Sequence, residues 1–432
     1  MPEFNLSIDA WSPGKKQVFR FSFIFLLLYI LINPNNLVPY FYLIQRFIRQ
    51  PFYYLIDWLG DVFFKIPGSL SNLSHAATDT AFSYLVVLFT ICIACVGSVV
   101  WMFIDKKSTN YNKANDALII ILRYYLGITW IAYATAKVTQ HQFSELTPIA
   151  LLHTYGNSPP RELAWNFMGY STGFNYFTGI AEYIIGILLF FRRTYTFGNL
   201  IGIGALVNVL AFNYYFDDNV KLLSTMVMVM SLVLLSKDLK RLVDFFFRGK
   251  TTSIEATRFY HFDTKGKNLV FNMLKYGLII FLIFFDLHTF SAKAKQLGYI
   301  GKKPPLYGVY DVKTFIINRD TLKPLTTDTT RWSKLIISSL PGKASIMQMN
   351  NDMRYFAIKP DTTKKTIQLI AESDTADKYI FSYVLQDSVL SMRGKYHDDL
   401  IEIQLKQFNL DNLPLVKHKS HWIIEPQEKL RR

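Results

Sequence analysis

The chain has 432 residues, 51% hydrophobic and 16% aromatic, with a formal net charge of +15. Its modest mean hydropathy of +0.18 averages two unlike parts, long apolar runs up to about residue 290 and polar, alternating sequence after it. The basic residues flank apolar runs, where Lys and Arg set membrane topology. No basic stripe is interleaved with aromatics, which excludes nucleic acid as a partner. Cys92 and Cys95 are the only cysteines, so no disulfide framework holds the polar part together.

A spanning helix needs about 20 mostly apolar residues. The first run, 18–32, starts beside Lys15, Lys16 and Arg20 and ends Ile32-Asn33-Pro34-Asn35. It lacks a small-residue cleavage pattern and reads as an uncleaved span. Residues 37–66 mix aromatics with Arg46, Arg49, Asp57 and Asp61, a composition suited to amphipathic helices in the membrane interface. Further spans are expected at 81–104, 117–138, 174–191, 197–212, 220–235 and 269–287. With seven spans, Lys15/Lys16/Arg20, Lys106/Lys107/Lys113, Arg192/Arg193 and the cluster from Lys237 to Lys250 share one side. The positive-inside rule makes that side cytoplasmic and puts everything after about 288 outside. The basic amphipathic stretch 237–250 reads as a contact with anionic lipid.

From about 305 the period changes to two. Eight segments, from LYGVYDVKTFII to LIEIQLKQF, read as strands separated by turn signals such as Asn318-Arg319-Asp320, Pro341-Gly342, Asn351-Asp352, Pro360-Asp361 and Gln386-Asp387. They fit a small antiparallel barrel or sandwich, filled by side chains or holding a ligand. The ending with His418, His421 and Trp422 reads as one more strand or a cover. The expected organisation is 1–115, two spans with interfacial helices; 116–237, a helical membrane bundle; 238–304, a basic loop and the last span; and 305–432, a periplasmic β-domain.

Ionisable residues inside spans are costly and point to function. By ~1.5 Å of rise per residue, Arg123 lies roughly 9 Å and Glu182 roughly 13 Å from the inner ends of their spans, so an Arg123–Glu182 pair is expected. Asn175, Gly179, Glu182 and Gly186 share one helix face; Arg123, Gly127, Trp130, Ala134 and Lys137 share another. The small residues allow close approach. The pair would either lock two helices or serve chemistry, or Arg123 would snorkel to the inner surface instead. Lys137 and His141, with Asp217, Asp218 and Lys221, would line an outward-facing mouth or anchor helix ends. Cys92-Ile-Ala-Cys95 has redox spacing but sits mid-span without a cationic neighbour, so packing is the expected role. Met226, Met228 and Met230 read as filler.

Arg123 with Leu126-Gly127, Ala134-x-x-Lys137, Gly179-x-x-Glu182-x-x-x-Gly186-x-Leu188-Leu189 and Arg192-Arg193 resemble the DoxX family of membrane proteins. The likeness covers about 119–236 and implies a four-helix membrane unit. Extra spans and the β-domain depart from that unit, and the whole resembles larger DoxX-like proteins of Bacteroidetes. Relatives in this family are linked to quinone-coupled oxidation of sulfur compounds and to membrane redox-defence complexes. The resemblance implies a protein of the inner membrane, with Arg123, Glu182 and Lys137 as catalytic candidates and Trp130 and His141 as contacts for a quinone. Partners would be the bilayer and an envelope or redox protein. A second expectation is a non-enzymatic anchor whose β-domain binds an envelope protein or lipid. A third, from architecture alone, is similarity to vitamin K-dependent carboxylases, with Lys137 or His141 as base.

Overall fold

The computed structural model describes residues 10–32, 39–40, 42–64, 79–251, 264–374, 377–396 and 399–417. The segment with His418, His421 and Trp422 lies outside them. Among the described residues, the α-helices that precede the strands are, in chain order, α1 (Pro13–Ile32), α2 (Tyr42–Phe64), α3 (Ala81–Ile104), α4 (Asn112–Val138), α5 (Pro148–Leu152), α6 (Pro160–Tyr170), α7 (Thr172–Phe190), α8 (Tyr195–Tyr215), α9 (Lys221–Ser236), α10 (Leu239–Arg248) and α11 (Lys265–Gln296). Strands follow: β1 (Gly308–Ile317), β2 (Asp320–Thr321), β3 (Trp332–Ile337), β4 (Lys343–Gln348), β5 (Met353–Asp361), β6 (Thr366–Ala371), β7 (Lys378–Gln386), β8 (Val389–Tyr396) and β9 (Asp399–Phe408). The chain divides into two units. One is Met1–Phe143 with Pro159–Phe290, and the other is Ser144–Ser158 with Ser291–Arg432.

Each of the seven apolar runs is helical. Among the described residues α3, α4, α7, α8 and α11 are long and apolar enough to cross a membrane, and α9 with α10, bent by 74°, makes a sixth if read as one broken span. α1 has the length, but Lys15, Lys16 and Arg20 fall in its first turns. Among the described residues, the region expected as interfacial helices holds α2, with Pro51 inside it. α2 exposes Phe47, Tyr54, Trp58 and Phe63 while Ile56 packs with Ile32, Phe82, Leu85 and Val86.

The main core of the first unit joins α1, α4, α7, α8 and α9 through residues such as Leu26, Leu122, Leu126, Trp130, Leu189 and Met230. Met226 belongs to this core too. Cys92 and Cys95 are exposed on α3, so the expected packing role is corrected. Residues three apart share a helix face, and here that face looks away from the core.

α4 and α7 approach closely because glycine stands at each contact. A Cβ on Gly186 would meet Gly127 O and Ile131 Cγ1 at 3.0 Å, and one on Gly179 would meet Val138 Cγ2 at 2.8 Å and Ala134 O at 3.1 Å. Gly127 and Ala134 are seven residues apart, as are Gly186 and Gly179, so both contacts belong to one antiparallel register.

In the second unit the strands pair antiparallel in the order β2-β1-β3-β4-β5-β6-β7-β8-β9, and β1 also pairs with β9. Eight strands therefore close into a barrel, with β2 appended to β1. The closure decides between the expected barrel and sandwich. Each of the eight alternating segments of the sequence supplies one barrel strand. Asn318 and Arg319, Asn351, and Asp387 take positive φ at turns. Pro360-Asp361 instead ends β5, and the turn follows it. Alternate residues point inward, and Phe315, Trp332, Phe356, Tyr379 and Phe381 fill the interior, as is usual at this strand number.

Candidate functional site

The polar centre of the first unit lies where α4 and α7 face each other. Lys137 Nζ donates to both oxygens of Glu182, at 2.7 and 2.8 Å, and each residue is only 7% exposed. This overturns the expected Arg123–Glu182 pair. In the glycine register Glu182 stands level with Ile131, eight residues or ~12 Å along the axis from Arg123. Side chains lean toward the N-terminus of their own helix. In an antiparallel pair, Lys137 and Glu182 therefore lean toward each other, and Arg123 and Glu182 lean apart.

Arg123 closes the end of α7 instead. Its Nε donates to Leu189 O and its Nη2 to Phe190 O, both at 3.2 Å, and its guanidinium lies 4.7 Å from the Tyr195 ring centroid. The last carbonyls of a helix lack intrahelical partners and carry its negative dipole end, so a cation there satisfies both.

The Lys137–Glu182 pair borders a cavity of about 50 Å³, counted as room for the centres of water-sized molecules. That is space for a few waters or one small polar head. Trp130 and Tyr133 of α4, Leu206, Val209 and Asn213 of α8, Ser224 and Val227 of α9, and Gln142 line it. Lys137 Nζ is 5.8 and 5.9 Å from the ring centroids of Tyr133 and Phe143. Two of the three ammonium protons go to Glu182, which leaves one for a ligand acceptor. Gln142 Oε1 is buried without a hydrogen-bond partner among the described residues. Asn213 Nδ2 donates to Ser224 Oγ at 3.0 Å, tying α8 to α9.

Beside the cavity, Asp218 accepts from Arg161 Nε at 2.9 Å and Trp165 Nε1 at 3.2 Å, both from α6. The Trp165 ring packs edge-on against Phe143, with centroids 5.3 Å apart. Asp217 and Lys221 form the expected helix pair at 2.6 Å. The structure thus brings together Lys137, Glu182 and Trp130. It does not bring in Arg123. His141, expected near the ligand, does not line the cavity; its ring meets Phe290 of α11 at 5.2 Å. Sequence reasoning missed Gln142, Tyr133 and the link from Arg161 and Trp165 to Asp218. Arg161 and Trp165 are four residues apart, a one-face spacing on a helix, but nothing local names Asp218 as their partner.

No family profile and no solved structure matches the chain. The uncharacterized protein YwoB of Bacillus subtilis (strain 168) is 37% identical over 125 residues, which make up 29% of this chain and 79% of YwoB. The chain belongs to the family of YwoB. The shared part is about four fifths of that smaller protein. In this chain the YwoB-like stretch is one part of a longer architecture. A stretch of 125 residues is long enough for four spans of about 20 residues with short connections.

Proposed function

We propose that this is a multi-pass protein of the bacterial inner membrane whose α4, α7, α8 and α9 form a DoxX-like unit that binds a quinone. The observation that carries the reading is the buried Lys137–Glu182 pair at the wall of a cavity lined by Trp130 and Tyr133. Such a site matches a quinone head. The aromatic rings offer flat apolar surface, and the remaining Lys137 proton offers a donor to a ring carbonyl. The electrons would be carried by the quinone and a partner protein. The proposed topology has seven spans, a cytoplasmic N-terminus and a periplasmic barrel, supported by the basic residues that cluster at alternate connections.

The test uses purified full-length protein in lipid nanodiscs, titrated with a short-chain quinone while tryptophan fluorescence is followed. Saturable quenching that is lost in Trp130→Phe and weakened at least tenfold in Glu182→Gln is expected. Quenching that is linear in quinone, or equal in Glu182→Gln at normal abundance, would overturn the reading.

A second reading, an anchor that presents the barrel to an envelope protein or lipid, draws on Val384, Leu385 and Val389, which are exposed around the β7–β8 turn. On that reading, Val384→Glu with Val389→Glu abolishes the cellular phenotype while Glu182→Gln is silent. The carboxylase-like reading is not favoured. Lys137 is engaged as an ammonium donor to Glu182, whereas a general base needs the free amine.

A further inference from the structure

A second polar group lies against α4 and α7, away from the cavity residues. On α11, Ile279, Leu282, Ile283, Asp286 and Phe290 follow the three- and four-residue spacing of one helix face. Ile279 and Leu282 are buried with Ile128, Ile131 and Phe190 of α4 and α7, and Tyr124, Tyr183 and Ile283 pack on them. Asp286 continues that face at 5% exposure. Its Oδ2 is buried without a hydrogen-bond partner among the described residues, and none of the ion pairs described in this unit includes it.

The neighbouring hydroxyls fix which protonation state fits. Thr135 Oγ1 donates to Ile131 O at 2.8 Å and lies 2.7 Å from Tyr183 Oη. A threonine hydroxyl has a single proton, so Tyr183 donates to Thr135. That leaves Tyr183 Oη with lone pairs only, within electrostatic reach of Asp286. Those lone pairs offer a carboxylate no donor, and no described side chain supplies one to Asp286 Oδ2, so a buried charge there is uncompensated and the neutral acid fits the site better. Of the other described titratable groups on the packed elements, His141 has its ring against Phe290, one turn further along α11, and His288 is on α11 itself. Lys137 and Glu182 are engaged with each other.

We propose that Asp286 is a proton-binding site of the bundle, carried as the neutral acid and exchanging its proton, while Glu182 stays ionised against Lys137. Intramembrane carboxyl groups that hold a proton in this way serve as relays. The proposal rests on the packing of α4, α7 and α11 and is independent of the quinone reading.

The test is labelling of the full chain in its native membranes with dicyclohexylcarbodiimide, followed by peptide mass mapping. The reagent takes protonated carboxyls in apolar surroundings. The acid adds across one C=N bond, its proton going to nitrogen and its oxygen to carbon, and acyl migration to nitrogen leaves a stable N-acylurea without any change of oxidation state. Asp286 should be labelled and Glu182 not, with labelling falling as pH rises. In Lys137→Met, Glu182 should become labelled as well. A difference infrared spectrum of wild type against Asp286→Asn decides independently of reagent access. A protonated-carboxyl band lost in the variant supports the proposal; its absence from the wild type, or labelling of Glu182 in place of Asp286, overturns it.

Discussion

Two buried cations on one helix, Arg123 and Lys137, meet opposite circumstances. Arg123 has carbonyl acceptors at a helix end, while Lys137 has a carboxylate deep between helices. Removing one partner of a buried ion pair leaves a stranded charge and costs about 3–5 kcal/mol. Lys137→Met should therefore sharply lower thermal stability in detergent, and adding Glu182→Gln should restore most of the loss. Arg123→Gln removes charge-assisted hydrogen bonds worth about 1.5–3 kcal/mol each at most and should lower stability without touching the quinone titration. Equal losses in the two single variants, with no rescue by the double, would contradict these assignments. That Lys137 and Glu182 are ionisable groups set in apolar helices was legible, since such a residue in an apolar run is visible without any structure. Which cation Glu182 takes was not, because the choice depends on interhelical register and on the direction in which each side chain leans.

At the scale of elements, the small-residue faces of α4 and α7 were readable, and they do face each other. The glycines let the two backbones meet, and that contact sets the register that pairs Lys137 with Glu182. In the barrel, inside and outside follow alternation along strands such as β6 and β7, while β3 and β4 bury residues on both faces and bulges in β1 and β3 shift the register. Its turns were readable where a residue must take positive φ, as at Asn318 and Asp387, and misread at Pro360-Asp361. There the side chain of Asp361 accepts from the backbone N–H groups of Thr363 and Lys364 at 2.9 and 2.8 Å. These bonds, that from Lys364 first, hold the Asp361 carboxyl below its ordinary value. A depressed aspartate stabilises the fold above its unfolded pKa and loses that contribution as pH falls through the lower folded value. Acid titration of barrel unfolding should therefore show a smaller loss of stability between roughly pH 5 and pH 2 for Asp361→Asn than for the wild type. Parallel acid profiles would remove the turn from the account.

For the whole molecule, the proposed topology predicts that single cysteines placed in a Cys92/Cys95-free background at Asn318 and Asp387 react with a membrane-impermeant maleimide in intact cells. One placed at Lys240 should react only after lysis. Protection at Asn318 and Asp387 would invert the proposed orientation. The change of hydropathy and period near 290–305 announces two unlike parts, and the units of the structure follow it, with one addition. Ser144–Ser158, lying between α4 and α6 in sequence, groups with the barrel residues. A short connection carries no periodicity that could assign it to either part. Composition and period alone determined an apolar helical part followed by an alternating β-part, because burial in lipid demands long apolar runs and a pleated strand demands alternation. Only the tertiary structure decided that β1 meets β9 to close the barrel, that Glu182 takes Lys137, and that Asp286 Oδ2 lies buried without a hydrogen-bond partner among the described residues. Each of these depends on which residues distant in sequence come within hydrogen-bond reach, and local pattern does not encode that.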